Sequence, residues 1–263
     1  MESLAFVLAG FGVGAIVGMT GVGGGSLMTP ILIFFFGVKP HLAVGTDLLF
    51  AAVTKAGGSV SLARRGLVDW PVVGQVAAGS VPASLITLWV LHDRGAADPV
   101  VQQLMTSVLG VALLLTAVAT LYKALARKAT PRQLAAADDT PPTRARHWSL
   151  PVLLGAVIGA LVTLTSVGAG AIGVTALMLL YPRLPLPRIV GADIAHAVPL
   201  TLVAGLGHAS IGSVNWPLLG LLLIGSLPGI WLGSRLMVKT PERLVRTLLA
   251  GLLGYAGLKL VAL

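Results

Sequence analysis

The chain has 263 residues, 56% of them hydrophobic and 10% charged, whereas a soluble domain carries about 25% charged residues. That composition argues against a soluble globular protein and for membrane helices of roughly 20 residues each. With no cysteine, disulfides and thiolate metal sites are excluded, and the net charge of +9 lies in loops rather than on one polar face, which argues against nucleic-acid binding.

The N-terminus, Met1 to Leu4, lacks the basic region of a cleaved signal peptide and reads as the start of the first membrane segment. Apolar segments follow at 3–36, 42–62, 71–91, 101–121, 149–182, 189–209, 217–234 and 244–262. The first and fifth, near 34 residues each, are too long for one ordinary span. Each is interrupted by a glycine-rich run: Thr20, Gly21, Val22, Gly23, Gly24, Gly25 and Ser26 in the first, Thr165, Ser166, Val167, Gly168, Ala169, Gly170 and Ala171 in the fifth. Trp70, Trp148 and Trp216 open segments and Trp89 lies near an end, as interfacial tryptophans do. The polar stretch 123–147, with Pro131, Pro141 and Pro142, reads as a linker.

The two sides of that linker match. At an offset of 146 residues, Gly66, Val68, Trp70, Pro71, Gly74, Gly79, Ser80 and Pro82 fall on Gly212, Val214, Trp216, Pro217, Gly220, Gly225, Ser226 and Pro228. Gly45 and Asp47 fall on Gly191 and Asp193, and at an offset of 145 Gly14, Val22, Gly23 and Gly25 fall on Gly159, Val167, Gly168 and Gly170. The expected organisation is therefore an N-terminal repeat over 1–122, a cytoplasmic linker over 123–147 and a C-terminal repeat over 148–263.

Charge sets the expected orientation. The loops at 63–69, 123–147, 182–188 and 235–246 hold eleven or more Lys and Arg, the opposite ends only Lys39, Arg94 and Lys259. By the positive-inside rule the first set is cytoplasmic. Segment 42–62 then ends inside, while its partner 189–209 starts inside, so the copies run in opposite directions. The reading is an all-α polytopic membrane protein of two inverted-topology repeats. Each repeat is a broken glycine-rich helical hairpin plus three transmembrane helices, with both termini periplasmic. An even division gives hairpin arms of sixteen residues, about 24 Å, which favours re-entrant or strongly tilted arms.

Glycine lets a backbone leave helical geometry, and in a membrane such a break survives only against protein or a water-filled cavity. The helix after each break presents free N–H groups and a positive dipole end. Two such ends with the hydroxyls of Thr20, Ser26, Thr165 and Ser166 point to an anion site at Gly21, Gly23, Gly24, Gly25, Gly168 and Gly170, the pattern of inverted-repeat transporters. Gly10, Gly14 and Gly18 form a small-residue stripe suited to helix packing.

Ionisable residues within apolar segments are functional candidates. Lys55 would balance an anion's charge or snorkel to the inner surface. Asp47 and Asp193, with Thr46 beside the first, are coupling or gating candidates for protons or sodium, or else face helix dipoles. His196, one turn from Asp193, is a proton relay or a satisfied core histidine, and His208, near the outer end, reads as structural. Thr54, Ser59 and Thr201 are weaker lining candidates.

Several of these features together (Gly21-x-Gly-Gly-Gly25 followed by Pro30, the Gly45-Thr46 helix start, Arg64-Arg65-Gly66 with Val68-Asp69-Trp70, and Gly212-x-Val214-Asn215-Trp216) resemble the sulfite exporter TauE/SafE family along essentially the whole chain. The resemblance implies a transporter of sulfite, sulfoacetate, other sulfonates or related organic anions in a bacterial inner membrane. The second copy departs from the glycine-rich pattern at Ala169 and Ala171. An anion channel, or a permease for another small organic anion, is the alternative. No enzymatic activity, cofactor or metal is expected, and the oligomeric state is open, a homodimer among the options.

Overall fold

The computed structural model describes residues 2–20, 25–125, 148–236 and 242–262. Ten helices make up these residues, with no strand among them: α1 (Glu2–Thr20), α2 (Gly25–Phe36), α3 (Pro40–Arg64), α4 (Trp70–Arg94), α5 (Pro99–Leu125), α6 (Ser149–Thr165), α7 (Ala171–Leu180), α8 (Leu186–Ser210), α9 (Trp216–Leu236) and α10 (Glu242–Val261). Four of them, α4, α5, α8 and α9, are long and apolar enough to cross a membrane. Equally long α3 is less apolar, because Thr46, Asp47, Thr54 and Lys55 lie along it. Exposed Trp70, Trp89, Trp148 and Trp216 lie at helix ends, where indole rings suit a membrane interface.

The same local devices recur 146 residues apart. Gly66 and Gly212 stop α3 and α8 with φ of 68° and 72°, a left-handed geometry that glycine adopts without steric cost. Asp69 then caps α4 by accepting from Val72 N at 3.2 Å, and Asn215 Oδ1 accepts from Leu218 N at 3.1 Å at the start of α9. Such caps satisfy N–H groups that a helix leaves open at its first turn.

Packing repeats with the same offset. Along α1 and α9, Gly10 and Gly14 lie directly on the carbonyls of Leu222 and Ser226, and Gly225 lies on that of Val7. Along α6 and α4, Gly155 and Gly159 lie on the carbonyls of Val76 and Ser80, and Gly79 on that of Val152. Both pairs run parallel, and a Cβ at any of these glycines would overlap a backbone oxygen. Small residues permit this approach, the usual means of close packing between membrane helices. Helices α3 and α8 run antiparallel: Gly45 lies on the Ser213 carbonyl, Gly205 against Leu49, and Gly191 on the Leu67 carbonyl. Helices α5 and α10 are antiparallel too, with Gly110 facing Gly257 and Gly254 facing Ala117.

The helices flanking the two glycine-rich runs are unequal in length, unlike the even division expected from sequence. Helices α1 and α6 have 19 and 17 residues, α2 and α7 only 12 and 10. At 1.5 Å per residue the short arms reach roughly 18 and 15 Å, well under a hydrocarbon core of about 30 Å. The first arms are drawn out along α9 and α4 by the glycine contacts. The second arms stop early, at Gly37 with φ 62° and at Tyr181, whose N–H closes on Leu177 O at 2.8 Å.

Candidate substrate and coupling site

Of the two glycine-rich runs, the first (21–24) lies outside the described residues, as do the side chains of Thr20 and Ser26. The second is described in full. Helix α6 ends at Thr165, Ser166 adopts φ 60°, and Gly168 and Gly170 follow with φ of 130° and 123°. The Thr165 hydroxyl is engaged within this turn, donating to Leu161 O at 2.6 Å and accepting from Val167 N at 3.1 Å. Bonds from Gly173 N to Gly168 O, 2.9 Å, and from Val174 N to Gly170 O, 3.1 Å, then start α7.

Asp47, fully buried on α3, meets both α2 and the Ser166 turn before α7. One oxygen, Oδ2, accepts from the backbone N of Thr29 at 3.2 Å and from the Thr29 hydroxyl, in the first turns of α2. The Ser166 hydroxyl, in the break before α7, lies beside the same carboxylate. Neither Asp47 Oδ1 nor Ser166 Oγ meets hydrogen-bond geometry with any partner among the described residues. The equivalent carboxylate, Asp193 on α8, is also buried, and its Oδ1 lies against Gly173 of α7, where a Cβ would collide with it. Asp47 thus meets α2 and Asp193 meets α7.

Lys55, 6% exposed, does not reach the surface. It interacts electrostatically with Asp193 and Asp47, one on each of the antiparallel helices, and with His196. His196 in turn shares a 2.7 Å hydrogen bond, through Nε2, with the hydroxyl of Ser80 on α4. The carboxylates lie eight residues into α3 and α8, so antiparallel packing, with Gly45 on Ser213 and Gly191 on Leu67, sets them toward opposite ends of the pair with Lys55 between their levels. Two carboxylates against one ammonium leave one formal negative charge in excess when His196 is neutral.

Thr46 takes a different place. Its hydroxyl accepts from Asn215 N at 3.0 Å, anchoring the turn before α9. Thr54 and Thr201 bond back to carbonyls of their own helices, Phe50 O at 2.9 Å and Ala197 O at 2.8 Å. Sequence reasoning missed Thr29, Ser80, Ser84 and Thr163. Hydroxyl residues are common in membrane helices, and only the fold shows which of them face a buried charge.

Buried ionisable groups gathered between broken and antiparallel apolar helices define a polytopic membrane transport protein. The chain belongs to the sulfite exporter TauE/SafE family, whose description matches residues 6–260. It is 36% identical over 260 residues to the "Probable membrane transporter protein YjnA" of Bacillus subtilis, covering 98% of this chain and 100% of that protein. It is 27% identical over 250 residues to the "Probable membrane transporter protein YunE" of the same organism, covering 90% and 87%. It is also 24% identical over 271 residues to a "Probable membrane transporter protein" of Methanocaldococcus jannaschii, covering 96% and 92%. No solved structure matches the chain. The protein is a membrane transporter of this family.

Proposed function

We propose that the protein is a secondary transporter of a small anion, sulfite or an organosulfonate such as sulfoacetate, working by alternating access across a bacterial inner membrane. The observation that carries this reading is the buried Asp47 carboxylate held by Thr29 of α2 beside the Ser166 hydroxyl of the second break, with buried Lys55 in electrostatic reach of it and of Asp193. Lys55 supplies positive charge, and the Ser166 hydroxyl and the N–H groups around the breaks supply donors to an oxyanion. The cluster already carries an excess negative charge, and burying a further unpaired anion is costly. Substrate entry therefore requires uptake of a proton or sodium ion, which couples the two.

The reading rests on two inverted repeats, 1–122 and 148–263, joined by a cytoplasmic linker at 123–147. It is supported by the glycine contacts that recur at offsets of 145–146 and by the antiparallel course of α3 with α8 and α5 with α10. The short arms α2 and α7 fit re-entrant hairpins whose tips meet within the membrane. The charge distribution places both termini in the periplasm.

A thermal-shift screen of the detergent-solubilised protein with sulfite, sulfoacetate, thiosulfate and acetate tests the substrate class. Sulfite or a sulfonate is expected to raise the melting temperature in the native protein and not in Lys55→Ala. Stabilisation by acetate alone would replace the sulfur anion with a carboxylate.

A further inference from the structure

The two oxygens of the Asp47 carboxylate face unlike surroundings. Oδ2 is held by the N–H and the hydroxyl of Thr29 on α2. Oδ1 has no partner among the described residues, although the residue is fully buried. Beside the carboxylate lies the Ser166 hydroxyl, 4% exposed and likewise without a partner among them. Lys55 acts on Asp47 electrostatically, and Oδ1 accepts no bond from it. Leaving a buried carboxylate oxygen without a donor or a counter-charge is costly. The other unpartnered buried side-chain atoms among the described residues, His208 Nδ1 and Ser213 Oγ, gather at the same end of the bundle. Gly45, two residues before Asp47, lies against His208 and the Ser213 carbonyl, and the His208 ring bonds the Thr163 carbonyl, one turn before Ser166.

The groups around Oδ1 suit a cation held by oxygen. Ser166 is the C-cap of α6, so the last carbonyls of that helix and the negative end of its dipole lie next to Asp47. Broken membrane helices bind sodium through such C-terminal ends and unwound carbonyls. Carboxylate, hydroxyl and carbonyl make an all-oxygen donor set, which fits a hard cation, and one carboxylate matches one positive charge. Hydroxyls also serve simply to hold membrane helices together, and the second copy weighs against that explanation here. Asp193 of α8 meets α7 at Gly173 as Asp47 of α3 meets α2 at Thr29. Yet at an offset of 145 Thr29 corresponds to Val174 and Ser166 to Gly21. Helix α7 thus packs on a buried carboxylate with valine where α2 has threonine, so packing does not require the hydroxyl.

We propose that Asp47 Oδ1, the Ser166 hydroxyl and the terminal carbonyls of α6 form a sodium site. Thr29 fixes the carboxylate through Oδ2 and leaves Oδ1 to coordinate. A bound sodium ion takes the formal charge of Asp47, Asp193 and Lys55 from minus one to zero. The Ser166 oxygen ligates the ion and its proton stays available to an anion drawn by Lys55. The site rests on the coupled-transport reading for its role and deepens it by naming the ion and its ligands. Its binding chemistry does not depend on which anion is carried.

Sodium titration of the detergent-solubilised protein tests the site without any sulfur anion. Sodium chloride replaces choline chloride at fixed pH, so that chloride and ionic strength stay constant. A saturable rise in melting temperature is expected in the native protein and is expected to vanish in Asp47→Asn. Ser166→Gly keeps the φ 60° turn and is expected to raise the sodium midpoint about tenfold. It decides the site should Asp47→Asn fail to fold. No saturable sodium response in the native protein, an equal response to potassium chloride, a response that survives in Asp47→Asn, or a native midpoint in Ser166→Gly overturns the proposal. Linkage makes sodium tighten sulfite binding, and the midpoint for sulfite, added as its choline salt, is expected to fall about tenfold at saturating sodium. Absence of any sulfite-induced shift would sink the anion reading, and the sodium titration would still decide the site.

Discussion

Replacing Lys55 by Met tests whether one cation holds two buried carboxylates. The methionine keeps most of the side-chain length and removes the charge. Lys55 is 6% exposed and interacts with Asp193 and Asp47, so its loss takes the cluster's formal charge from minus one down to minus two. At an effective dielectric of about 20, a cation beyond contact distance stabilises each buried carboxylate by about 1–2 kcal/mol, which its removal forfeits. For two carboxylates in a chain of this size that corresponds to a fall in Tm on the order of 10 °C. Adding Asp193→Asn returns the formal charge to minus one and is expected to recover most of the loss. Thermal unfolding of the native, single and double variants in detergent measures both steps. A Tm for Lys55→Met within about 2 °C of native, or a double variant less stable than the single, would refute the shared-cation reasoning.

Three further outcomes follow from the repeated geometry. Gly79→Ala and Gly225→Ala each drive a Cβ onto a backbone carbonyl and are expected to lose similar stability, about 1–3 kcal/mol each by thermal unfolding. Gly74→Ala and Gly220→Ala, equivalent to one another and with open space at both, should leave folded-state packing intact. The chain has no cysteine, so Arg64→Cys and Ser210→Cys, exposed and 146 residues apart, can be labelled on a clean background. A membrane-impermeant maleimide should reach Cys at 210 in intact cells and at 64 only after permeabilisation; labelling of both from one side contradicts the inverted repeat. Finally, Ser166→Ala keeps the break's backbone bonds and removes a hydroxyl beside Asp47. It is expected to weaken sulfite-induced thermal stabilisation about tenfold in midpoint concentration, the cost of about 1.4 kcal/mol for one donor to a charged group.

Much of the architecture was legible in the residues. Membrane helices follow from apolar length, and the 146-residue offset shows in Trp70-Pro71 against Trp216-Pro217. Asp47, Lys55, Asp193 and His196 stand out because charge is rare in such segments. The division of the hairpins was not legible. Glycine composition marks where a helix is permitted to break, whereas the lengths of α1 and α6 depend on contacts with α9 and α4 made by residues more than 70 positions away. Thr46 looked like a coupling residue from its neighbour, but its hydroxyl faces Asn215, a turn that sequence proximity does not reveal. The bonds of Thr163 to Ser84 and of Ser80 to His196 were silent for the same reason, since their members come from α4, α6 and α8. His208 read as structural from its place near a helix end; its orphaned Nδ1 emerges only from the packed fold.

Uptake of labelled sulfite into proteoliposomes, comparing native protein with Lys55→Ala, tests the account most directly. Saturable uptake by the native protein and its loss in a Lys55→Ala variant that still elutes as folded protein is the predicted result. Equal uptake by both would contradict the placement of the substrate at the Lys55 cluster.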